Sequence, residues 1–196
     1  MHAVPHAAPP FIARVERVTR ADLPYSWRPG CPVPPSSLRR IRLSYWGFDG
    51  ERHLGDLVVR DRVTGDVTAA FRILYRARFP LRRVEPVDRY RGRDDASMAA
   101  DNTSGFNCRA AVAAGPTHWS EHAYGEAVDV NPVENPYLAG SRVLPPAGKA
   151  FVDRTPRPGM AVAGGTLVRA FESVGWGWGG RWTGSRDYQH FSRSGR

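Results

Sequence analysis

Two short segments of this chain concentrate side chains that can bind a metal ion or move a proton. The first, Trp119-Ser-Glu-His-Ala-Tyr-Gly-Glu-Ala-Val-Asp129, sets His122 and Asp129 seven positions apart with Gly125 between them. A turn at Gly125, separating a helical His from a strand Asp, would aim both side chains at one point. The second, Asp187-Tyr-Gln-His190-Phe, places another carboxylate and imidazole on a short aromatic stretch. Two His and one Asp match the ligand set of a catalytic zinc centre, which keeps an open fourth position for water. Asp187 then remains as a general base for that water. Taken singly, a His in a polar segment is more often a surface residue, and His53 and His118 are read that way. Asp129 differs, because it sits in an apolar Ala-Val-Asp-Val run where an unpaired carboxylate is costly to bury.

Other chemistries fit less well. Gly175-x-Gly177-x-x-Gly180 has the spacing of a dinucleotide fingerprint, yet it follows a helical pattern instead of opening one. Trp176, Trp178 and Trp182 crowd it and read as a cleft wall or as core. No Gly-x-Ser-x-Gly and no His-Glu-x-x-His occurs. Ser120, His122 and Asp129 are the residue types of a serine triad, but a Ser and a His two apart rarely face each other productively. Cys108 could act as a thiol nucleophile with His122. A disulfide to Cys31 is the favoured use of the two cysteines, neither of which belongs to a Cys-x-x-Cys motif.

The elements that must carry these residues are short and interleaved. Ile41–Phe48 and His53–Val59 alternate as paired strands around an Asp49-Gly50 turn. From Thr64 to Phe79 apolar residues recur at helical spacing until Pro80. Leu81–Val87, Phe106–Ala113 and Ala127–Asn131 read as strands, Asp94–Ala100 as one or two helical turns, and Thr166–Val174 as a helix ended by Gly175. Residues 132–163 form a long Pro/Gly-rich excursion. Residues 1–38, with eight prolines, read as an extension wrapped on or trailing from a domain spanning 39–196. Without a regular βαβ repeat, the expected class is α+β.

Composition bounds the rest. With 196 residues, 41% of them hydrophobic, the chain can bury a core, which excludes a disordered or collagen-like polymer. No apolar run approaches the ~18 residues of a membrane span, and none is expected. The net charge is +9, and residues 1–100 carry 18 bases against 11 acids. That balance suits an anionic partner such as a cell-wall polymer, or simply an Arg-rich surface. No block of like charges appears, so a nucleic-acid partner is not expected. The first ten residues have neither a basic n-region nor an apolar h-region, so no signal peptide is visible in this sequence.

Ser120-x-His122-x-x-Gly125-x-Ala127-x-Asp129 followed by Asp187-x-x-His190 resembles the zinc D-alanyl-D-alanine carboxypeptidases of peptidase family M15, and the related L-alanyl-D-glutamate endopeptidases and D,D-dipeptidases. The similarity runs from about Leu38 to Phe191 and includes Asn102-Thr-Ser-Gly-Phe-Asn-Cys-Arg109 and Gly175-Trp-Gly-Trp-Gly-Gly-Arg-Trp182. It implies a Hedgehog/D,D-peptidase-like fold and Zn2+ held by His122, Asp129 and His190. Asp187 would be the base, although some members carry Glu there. Arg109 would hold a substrate carboxylate or a developing oxyanion. Ser120, Tyr124 and Trp178 are candidate contacts to a peptidoglycan stem peptide. The implied activity is removal of a terminal D-Ala by a monomeric, secreted or wall-associated enzyme. The alternatives are internal cleavage of the stem peptide, or a non-catalytic zinc-containing wall-binding domain.

Overall fold

The computed structural model describes residues 9–112 and 117–196. Strand β1 (Ala13–Arg17) pairs with β2 (Leu38–Trp46), which forms a long antiparallel hairpin with β3 (Arg52–Arg60). Alternation decides which face is covered. Ile41, Leu43, Leu57 and Val59 enter the main core, whereas Arg42 and Asp56 pair on the opposite face at 2.9 Å.

Helix α1 (Thr64–Arg76) follows, and its Val67, Ala70, Phe71, Leu74 and Tyr75 form the buried stripe anticipated from their spacing. It ends where Arg78 adopts φ +50°, Phe79 N–H returns to the Leu74 carbonyl at 2.9 Å, and Pro80 blocks continuation. The later elements are small. They are β4 (Arg83–Val84), α2 (Asp94–Ala99), β5 (Asn102–Thr103), β6 (Ala127–Asp129), β7 (Tyr137–Ala139), β8 (Arg142–Leu144), α3 (Thr166–Glu172), β9 (Gly177–Trp178), β10 (Arg186–Asp187) and β11 (His190–Ser192). Strands β6-β11-β9 and β10-β7-β8 form antiparallel sheets, and β4-β5 is a parallel pair. The architecture is α+β, with helices beside small, mostly antiparallel sheets. Phe71 on α1 meets Phe171 on α3 edge-on at 6.2 Å, joining the hairpin side of the core to the β6-β11-β9 side. Burying each of these rings contributes roughly 1.5–3 kcal/mol.

Two expected strands are corrected. Leu81–Val87 reduces to β4, and the described residues of 106–113 form no strand, with Ala113 lying outside the described residues. Successive N–H groups there find different partners: Phe106 on Val58, Asn107 on His122 and Cys108 on Ser26, at 2.7, 3.1 and 2.9 Å. No single neighbour offers a ladder, so the segment is apolar and buried without being regular.

The described residues of the leader pack on this segment. Val18, Leu23 and Val33 share a second small core with Leu38, Val58, Phe106 and Cys108. A disulfide joins Cys31 to Cys108, and Arg28 Nη1 donates to the Cys108 carbonyl at 2.6 Å. A bond closing a loop across 77 positions contributes roughly 4 kcal/mol in the chain-entropy account. It also fixes the residue next to Arg109.

Glu134 and Asp101 are buried together, with Arg82 at 3.6 and 3.4 Å from their carboxylates. Burial, then a hydrogen bond with Asp101, pushes Glu134 up to about 8. A carboxyl that holds its proton more tightly when folded stabilises fully below its ordinary value of 4.5, and that contribution disappears as the pH rises through about 8. The thermal midpoint should therefore fall between about pH 5 and 8, and Glu134→Gln should flatten that part of the profile. An unchanged slope in the variant, measured by calorimetry, would remove Glu134 as the cause.

Candidate metal centre

The register of β6 on β11 sets Asp129 directly opposite His190, with His190 Nδ1 3.2 Å from Asp129 Oδ1. His122 arrives on a short 3-10 turn, Glu121–Tyr124, capped by Ser120, whose Oγ accepts from His122 N at 3.3 Å. Gly125 ends the turn at φ +70°, and a Cβ there would stand 2.8 Å from Arg60 N. Glycine alone lets the chain pass this close to β3, where Arg60 N–H donates to the Gly125 carbonyl at 2.8 Å. The adjoining Glu126 is buried and held by Arg60 at 3.2 Å and by Arg62. His122 Nε2 is thereby brought to 3.1 Å from Asp129 Oδ2 and 3.2 Å from His190 Nδ1.

The outward-facing ring nitrogens are already engaged. His122 Nδ1 lies 2.7 Å from the Gly105 carbonyl, and His190 Nε2 lies 2.9 Å from the Arg196 carbonyl. A carbonyl only accepts, so these nitrogens carry the protons, and the inner nitrogens of the neutral rings present lone pairs. Two imidazoles and a carboxylate thus bring ligand atoms within 4.8 Å of one another in a buried site. Burial opposes the charge on Asp129, but when the facing ring nitrogens are protonated their charge and hydrogen bonds hold it well below the usual carboxylate range. Facing acceptors need a proton or a cation among them. This donor set, with carbonyls orienting the far side of each His, fits zinc.

Asp187 is tuned the other way. Burial, reinforced by the Asp129 charge, pushes it up to about 7. Its Oδ1 is buried and has no hydrogen-bond partner among the described residues. Gly179 makes room for this arrangement, since a Cβ there would sit 2.6 Å from the Asp187 carbonyl and 3.3 Å from His190 Cβ. A carboxyl of near-neutral pKa beside a metal site is suited to proton transfer.

These residues line a cleft of about 500 Å³ together with Arg109, Ser120 and Trp182. Arg109 Nε is 2.9 Å from Asp94 Oδ1, an ion pair whose two side chains are each 22% exposed. Nε makes no hydrogen bond in this contact, and Nη1 donates to the Ala110 carbonyl at 3.3 Å. Two expected substrate contacts lie elsewhere. Tyr124 packs against the leader's small core. Trp178 stands opposite Phe191 in the β9–β11 register, which turns its ring into the main core, and its Nε1 donates to the Tyr188 carbonyl at 2.9 Å. Trp182 lies beside the site, its ring 5.3 Å from that of His190, and Trp119 also lines the cleft. His53 pairs with Asp49 at 2.9 Å, whereas His118 lies on the cleft rim. Asp94, Met98, Tyr137 and Gln189 also line the cleft and were not singled out in the sequence. The available signal was the four-residue spacing of Asp94 and Met98, which puts both on one face of α2.

Zinc added to metal-free protein should raise the thermal midpoint, and His122→Ala should abolish the rise. At a free concentration of 100 times Kd the stabilisation is about 2.7 kcal/mol. Equal shifts in the two proteins would exclude His122 from the centre.

Among known proteins, a family model described as D-alanyl-D-alanine carboxypeptidase, of the M15 peptidases, matches residues 113–193. The match includes His122, Asp129, Asp187 and His190 but stops short of Arg109. No curated protein and no solved structure matches the chain. The stretch that supplies the buried His-Asp-His group is thus the one similar to the M15 peptidases.

Proposed function

We propose that the protein is a zinc-dependent peptidase of peptidoglycan stem peptides, of the D-Ala-D-Ala carboxypeptidase type. Residues 39–196 would form the peptidase unit in the Hedgehog/D,D-peptidase-like fold, and residues 1–38 its extension. The observation that carries this proposal is the convergence of His122, Asp129 and His190 in a cleft that also holds Asp187 and Arg109. The family match supports peptidase chemistry on a wall peptide. Zinc, held by His122, Asp129 and His190, supplies Lewis acidity that activates water near neutral pH and polarises the scissile carbonyl.

The protein's own groups do the remainder. Asp187 takes a proton at its unpaired Oδ1 and returns it to the leaving amine, and a pKa near 7 suits both directions. Arg109, paired by charge with Asp94, can present its guanidinium to a carboxylate. A substrate ending in a free carboxylate therefore suits the cleft, which favours terminal over internal cleavage. Ser120 is already engaged in capping the His122 turn. The Cys31–Cys108 bond supports residence in an oxidising compartment, secreted or at the wall. The working form is a monomer.

Mass spectrometry of products from a defined stem pentapeptide tests this directly. One terminal residue should be lost, and chelation should stop the reaction. An internal cut would instead mark an endopeptidase, and no cleavage by zinc-loaded protein would mark a binding domain. Asp187→Asn should retain zinc and lower kcat by a factor on the order of 10²–10⁴. Loss of zinc along with activity would make Asp187 a ligand.

A further inference from the structure

One polar group in the cleft is unused by this chemistry. Gln189 immediately precedes His190, is 2% exposed and lines the same cleft. Its backbone carbonyl accepts from Val130 N at 3.0 Å, and its Nε2 lies 3.6 Å from Met98 Sδ, a weak acceptor. Oε1 is buried and has no partner among the described residues. Buried polar atoms are almost always paired, and an exception in a binding cleft points to a ligand. Met98 and Asp94 lie one helical turn apart on α2, and Asp94 holds Arg109 at 2.9 Å. The amide, the thioether and the guanidinium are thus linked through one helix face.

We propose that Gln189 is a substrate-binding residue whose Oε1 accepts a hydrogen bond from a backbone N–H of the stem peptide. This rests on the stem-peptide function proposed above. An amide oxygen can only accept, so it complements an N–H and rejects a carboxylate or carbonyl in its place. Arg109 recognises the opposite polarity. Together they select the direction in which a peptide lies across the cleft. A site built to bond a donor also discriminates against analogues that lack it.

Gln189→Met keeps an unbranched side chain against Met98 and removes the oxygen. Parent and variant are assayed on the stem pentapeptide and on analogues N-methylated singly at each amide other than the scissile one. In the parent, methylation at one position should raise KM about 10-fold, and Gln189→Met should do the same on the unmodified peptide. The two changes combined should cost no more than either alone, with kcat and zinc content close to the parent's. Gln189→Glu, which keeps an acceptor, should retain the sensitivity to that methyl group. Additive penalties at every position, an unchanged KM in Gln189→Met, or insensitivity of Gln189→Glu would overturn the assignment while leaving the peptidase function standing. A parent that cleaves no stem peptide overturns both.

Discussion

The lone pairs of His122 Nε2, Asp129 and His190 Nδ1 face one another in a buried site, and much of the nearby backbone serves to keep them there. Acceptors pressed together without water are unfavourable unless a positive charge lies among them. Residues 104 and 105 act on both sides of the centre. Ser104 exchanges backbone hydrogen bonds with Asp129 at 3.0 and 2.9 Å, and the Gly105 carbonyl fixes the His122 ring at 2.7 Å. The Arg196 carbonyl does the same for His190 while also accepting from Ser192 Oγ at 2.7 Å. The arrangement is thus preorganised for a cation, and the folding energy spent on it is recovered when one binds.

That preorganisation is spread over elements far apart in the chain. The end of β3 meets the turn between His122 and Asp129 through Arg60 and the buried Glu126, so the β2–β3 hairpin supports the centre without supplying a ligand. The leader supports the other wall of the cleft. Its small core and the Cys31–Cys108 bond hold residue 108, and Asp94 on α2 restrains the side chain of residue 109. One wall is therefore built for the metal and the other for the substrate's charged end. Asp129 and Asp187, two carboxylates in one cleft, take opposite protonation behaviour because their partners differ. Asp129 is compensated by a proton or cation shared with two imidazoles, while Asp187 is buried with its Oδ1 unpaired.

Parts of this were legible in the sequence because they depend on local spacing. Val67, Ala70, Phe71, Leu74 and Tyr75 repeat as a helix stripe, and Pro80 marks its end. His122, Gly125 and Asp129 are close enough for a single turn to relate them. Where long-range partners decide, sequence patterns misled. The apolar run after Phe106 resembles a strand, but its N–H groups answer to three separate elements. Trp178 has the residue type of a cleft wall, yet on a two-residue strand only its partner Phe191 determines which way it faces. Asp94 and Gln189 carry no distinguishing motif. Their significance comes from Arg109, 15 positions after Asp94, and from Met98, 91 positions before Gln189.

The proposed chemistry depends on a metal occupying the buried His-Asp-His group. X-ray absorption at the zinc edge, combined with anomalous diffraction from crystals of zinc-loaded protein, reads this directly. The expected result is one zinc per chain bound by His122 Nε2, His190 Nδ1 and an Asp129 oxygen at about 2.0–2.2 Å, with a non-protein oxygen in the fourth position. A zinc-free centre in protein equilibrated with excess zinc, or zinc held by other residues, would contradict it.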